Sequence, residues 1–152
     1  MLNNDKDFKA KLDVLPIADQ RHVAALFVMR VFPLSSDARL KNAIEMSQRE
    51  GVMEAELASA CQIANTARVE SFTRCGRETD WTAQAGHFVA KAAVACVRPA
   101  GEGGNLAWDA AMSARMARTC ETVATGEGTD NNEAGEQYRI LEAFLNNQGT
   151  RP

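Results

Sequence analysis

The sequence predicts an all-α fold, a single-domain bundle of five or six helices with antiparallel neighbours. Three observations carry this expectation. No stretch alternates apolar and polar residues with period two in β-branched or aromatic side chains, so strands leave no signal. Apolar residues instead recur at helical spacing along most of the chain. The strongest breakers (Pro16, Pro33, Gly51, Gly76, Pro99, then Gly101, Gly103 and Gly104) fall between those periodic segments. A chain of 152 residues, 45 % of them apolar, is long enough to bury one usable core.

Residues 1–15 form a charged N-terminal segment, where a short helix over Asp5–Leu15 would place Phe8 and Leu12 on one face. The helical domain proper is expected over 16–148. Its first helix runs from Ile17 to Phe32, started at Pro16 and stopped by Pro33. Val23, Leu26, Phe27, Arg30 and Leu34 make one stripe, which Ala24, Val28 and Val31 widen. Ser35 or Ser36 can cap a helix over Asp37–Glu50, ended by Gly51. A long helix follows from Met53 to Cys75, with Leu57, Ala60, Cys61, Ala64 and Ala67 inward and Gly76 as its stop.

The stretch Thr79–Lys91, continued by alanines to Arg98, reads as the central helix of the bundle. Thr79 or Asp80 caps it, and its small side chains let neighbours come close. Asn105 caps the next helix, Leu106–Val123, and a polar turn-like segment, TGEGTDNN, leads to a last helix over Glu133–Asn147. The four cysteines include no Cys-x-x-Cys pair, so they read as reduced thiols rather than a zinc or redox motif, although two disulfides are arithmetically allowed.

Candidate chemistry is sparse. His22 reads as a partly exposed helix histidine. His87 follows Gly86 inside the central helix, where glycine costs about 1 kcal/mol relative to alanine. Either a crossing helix or a ligand passing close to the backbone would account for that glycine. Neither histidine follows a Glu-x-x pattern, and no ligand pairing suits zinc, so no metal or cofactor is expected. A Gly-x-Ser-x-Gly elbow and a phosphate-binding loop are both missing from the sequence. The net charge of -3 and pI near 5.4 argue against nucleic acid as a partner. No apolar run approaches the about 18 residues of a membrane span, and MLNNDKDFKAK lacks the order of a signal peptide, so a cytoplasmic location is expected. Arginines lie along the middle of the chain, while no Lys or Arg falls between Glu121 and Gln137. Such unevenness suits an oriented protein partner, and also an ordinary solvated surface.

Several short segments carry a resemblance when taken in order. They are Val31-Phe32-Pro33-Leu34, Arg39-Leu40-Lys41-Asn42-Ala43-Ile44-Glu45, Arg49-Glu50-Gly51, Ala85-Gly86-His87 with Val89-Ala90, and Tyr138-Arg139-Ile140-Leu141-Glu142. Together they resemble the Imm5-like family of small bacterial immunity proteins, over about Ile17 to Leu145. The chain departs from the family pattern at Met46-Ser47-Gln48 and Ala93-Val94-Ala95. The resemblance implies an all-helical protein that binds and neutralises a toxin, with no reaction and no cofactor.

The expectation is therefore a non-enzymatic protein that blocks a partner sterically, with Arg39, Arg68, His87, Arg115 and Arg118 as candidate contacts. Arg115 could instead pair with Asp109 or Glu121 on its own helix. The alternatives are a small-ligand or enzymatic domain with a pocket around His87, Trp81 and Trp108, or a helical adaptor or oligomerisation module.

Overall fold

A computed structural model describes residues 1–75 and 80–149, without the side chains of Arg74 and Cys75. The expectations for Cys75 as a thiol, for Gly76 as a stop and for Thr79 as a cap lie outside the described residues. Within them the chain is a single all-α bundle without strands. Seven α-helices occur there: α1 Asp5–Asp13, α2 Ile17–Val31, α3 Leu40–Gln48, α4 Glu54–Cys75, α5 Trp81–Val97, α6 Leu106–Ala124 and α7 Glu133–Gly149. The count exceeds the expected five or six because the N-terminal segment is a helix in its own right. No described helix is long and apolar enough to cross a membrane.

The ends of the helices follow local chemistry. Asn4 caps α1 by accepting from the Asp7 N–H, and Asp80 caps α5 by accepting from the Ala83 N–H at 3.1 Å. Asn105 caps α6 through the Trp108 N–H at 2.9 Å and donates to the Leu12 carbonyl, fastening α1 to the bundle. Two expected boundaries move. Pro33 draws residues Phe32–Leu34 into a 3-10 turn, so α2 ends at Val31. Asp37 accepts from both the backbone and the guanidinium of Arg39, and Ser35 accepts from the Asp37 N–H. These side-chain bonds hold the backbone in turns, and α3 starts only at Leu40.

The central place expected for the Trp81–Val97 helix is the place it takes: α5 packs against α2, α3, α4 and α6. Its buried face is Ala85, Val89, Ala90, Ala92, Ala93, Ala95, Cys96 and Val97, and α6 opposes it with alanines 107, 110, 111, 114 and 117. Each buried methyl removes little apolar surface from water, on the order of 0.8 kcal/mol per carbon. The compensation is close backbone approach, which brings many atoms into dispersion range. Larger side chains gather where α1 lies: the Phe8 ring meets Phe27, Trp108 and Tyr138 at centroid distances of 5.7, 6.1 and 5.2 Å.

Arg115 secures that end from α6. It donates to both oxygens of Asp5 and to Gln137 Oε1, rather than pairing with Asp109 or Glu121 on its own helix. Asp109 holds Arg98 instead, and Glu121 holds Arg118. The Arg115 bond is the leading reason that the Asp5 carboxyl is held below its usual pKa.

Candidate functional site

The five candidate side chains separate into two neighbourhoods. Arg115 and Arg118 lie on α6 and work inside the bundle. Arg118 donates to Glu133, to Glu121 and to the Arg30 carbonyl. Within the acidic segment Glu133 departs from the solvated character its sequence suggests, being 1 % exposed and also held by Arg30, while Glu127 and Asp130 are exposed.

Arg39, Arg68 and His87 converge on the C-terminal half of α4. Arg39 reaches across from the turn before α3 to Glu70 at 2.6 Å while holding Asp37 at 2.7 Å. Arg68 donates to Asn65 one turn back. His87, on α5, meets Ser71 through Nδ1 at 3.0 Å. The Ser71 hydroxyl has one proton, and it goes to the Arg68 carbonyl at 2.7 Å. The network therefore assigns the His87 proton to Nδ1 and leaves Nε2 as an acceptor. Burial, foremost, pushes the His87 pKa down, and the charges of Lys91 and Arg68 act in the same direction. A neutral imidazole at neutral pH follows.

Around this histidine lie two aromatic rings, Phe72 outside the core and Phe88 partly buried against it. Phe72 is 68 % exposed and its ring centroid is 5.6 Å from that of His87. Phe88 meets His87 on another side at 5.7 Å, and the Lys91 ammonium lies over the Phe88 ring at 5.5 Å. Val69, one turn before Phe72, is 49 % exposed. Phe72 was absent from the candidates although its signal was legible, since the buried face of α4 runs through Ala60, Ala64 and Ala67, and Phe72 falls off it.

The expected pocket around His87, Trp81 and Trp108 is not assembled. Trp108 packs against Phe8, whereas His87 packs against Phe72 and Phe88. The concavity near Gly86, about 250 Å³, is lined by Leu34, Asp37, Ser71, Asp80 and Ala83, with His87 outside its lining. Gly86 faces the backbone of Leu34 and Ser35 rather than a crossing helix, and a Cβ there would sit 3.9 Å from both. Among the described residues no group of three or more His, Cys, Asp or Glu is placed to hold a metal ion.

Cys61 and Cys96 carry free thiols. Complete burial pushes Cys96 up to about 12, which makes it an inert core residue at neutral pH. Comparison with protein families, with curated proteins and with solved structures finds no match.

Proposed function

We propose that the protein is a non-enzymatic binding protein of immunity type, which neutralises a toxin by covering its active surface. The observation that supports this most directly is the exposed Phe72 ring beside His87 on the α4–α5 surface. A large aromatic side chain left in water costs solvation free energy, and such residues with nearby arginines are the usual anchors of protein interfaces. Val69, one turn away and 49 % exposed, widens the apolar centre, while Arg68 on the same helix and Lys91 beside Phe88 are the nearby cations. The His87 Nε2 lone pair offers one directional acceptor within it. With 22 residues, α4 is about 33 Å long, enough to present one side of a standard interface of about 800 Å². Among the described residues no paired general acid and base accompanies His87, so binding accounts for the patch more simply than catalysis does.

The test is protection from a toxin. Cells expressing the product of the neighbouring gene should survive when this protein is co-expressed, and tagged protein should retain that toxin. Phe72→Glu should abolish both effects while leaving the helical circular dichroism unchanged, because the ring is exposed. If the unaltered protein neither protects such cells nor retains a polymorphic toxin, the immunity assignment fails.

A further inference from the structure

A second concavity, about 690 Å³, lies on another part of the bundle, between the start of α2, the turn joining α3 to α4, and the end of α5. Its volume falls within the about 300–1,000 Å³ typical of small-ligand sites. Ile17, Leu57, Val97 and Phe144 supply apolar walls, and Arg21 and Ser47 contribute buried polar groups. It shares His22 and Phe144 with a groove of about 530 Å³ that continues between α2 and α7 past Leu26 and Ile140.

Arg21 is the unusual member. It is 7 % exposed, yet its one hydrogen bond among the described residues is Nη1 to the Cys96 carbonyl at 2.9 Å. That bond gives it a structural part, since Cys96 lies in the last turn of α5, where the helix dipole welcomes a cation. One carbonyl is a small complement for a guanidinium with five N–H groups, and a charge buried this far is ordinarily paired. Arg30, Arg39, Arg98, Arg115 and Arg118 each hold a carboxylate, and Arg21 holds none among the described residues. Its other N–H groups are not sealed in. The only fully buried side-chain nitrogen or oxygen without a partner among the described residues is Arg98 Nε, so those of Arg21 keep access through the cavity they line.

We propose that this cavity binds a monoanionic carboxylate with an apolar body, its carboxylate paired with Arg21 and its body directed toward the groove past Phe144. A planar carboxylate matches the guanidinium fork with two parallel hydrogen bonds. Asp19, Glu50 and Glu54 lie at the cavity, and their negative charge disfavours a second negative charge on the ligand. Arg49 also lines it, but Glu56 already holds its guanidinium. A phosphate monoester is therefore a poorer fit than a carboxylate.

Titration calorimetry on the full chain with octanoate, octan-1-ol and octyl phosphate tests the assignment. Octanoate should bind about tenfold or more tightly than either of the others. Arg21→Met should reduce octanoate to the level of the alcohol, and Ala58→Trp, on the exposed wall of the cavity, should weaken all three ligands. If Arg21→Met does not fold, the Arg21 Nε–H resonance of the unaltered protein serves instead, and octanoate but not octan-1-ol should shift it. Absence of octanoate binding, equal binding of acid and alcohol, tighter binding of octyl phosphate, or an unmoved Arg21 resonance would each overturn the proposal. Toxin protection is a separate readout, so this site and the α4–α5 surface can fail independently.

Discussion

Arg118 on α6 donates its Nε to the Glu133 carboxylate at 3.0 Å, joining two helices that are separated by a glycine-containing turn. Arg30 of α2 holds the same carboxylate at 2.9 Å, so three helices meet on one side chain. Residues 125–132, between α6 and α7, are exposed, and their turns use Gly126 and Gly128 at φ +78° and +81°. The start of α7 is therefore located by charge more than by its linker.

Replacing Glu133 with Gln should lower the unfolding free energy by roughly 2–3 kcal/mol. Breaking a fully buried ion pair from one side costs about 3–5 kcal/mol, but Arg30 and Arg118 keep partial access to water and would regain hydration. Urea unfolding followed by circular dichroism measures the difference. A loss below about 0.5 kcal/mol, the range of ordinary surface changes, would show that the three-helix junction contributes little.

Gly86→Ala should raise stability by about 0.5–1 kcal/mol. Glycine in a helix interior carries an entropic cost of this size, and the 3.9 Å spacing from Leu34 and Ser35 is ordinary van der Waals contact. Thermal unfolding of the two proteins provides the comparison. A destabilised variant would mean that the turn after α2 needs the space that glycine leaves.

His87 should make stability fall on mild acidification. Its folded pKa is depressed below the ordinary value of 6.5, chiefly by burial, so the unfolded chain takes up this proton at higher pH than the folded chain. The contribution is complete above the unfolded value and is lost as pH drops through 6.5 toward the folded pKa. His87→Gln removes the titration while retaining a group that can donate to Ser71. Urea midpoints taken from about pH 5 to 7.5 should slope for the unaltered protein and flatten for the variant. Parallel curves would contradict the assignment of this limb to His87.

Helix identity was legible along the chain because it rests on local information. Spacing marked the apolar faces, Asp80 and Asn105 were recognisable caps, and Pro and Gly placed the breaks within a few residues. Alanine along the α5 segment announced close helix packing, and Ala60, Ala64 and Ala67 marked the buried face of α4. The shifted start of α3 is also local, but it depends on which bond Asp37 selects, and several compete within one turn.

What composition and spacing could not convey is which distant charges meet. Arg115 had Asp109 and Glu121 within reach on its own helix and pairs with Asp5, 110 residues away. Arg21 shares a helical face with Ala24, Val28 and Val31, a signal that it is buried, yet nothing in the sequence says that its surroundings lack a carboxylate. The reason is physical. Helix formation and capping are decided over a few residues, whereas the partners of a long flexible cation are decided by how whole helices pack. Both surfaces proposed as binding sites, Phe72 beside His87 and the cavity at Arg21, arise only from that packing.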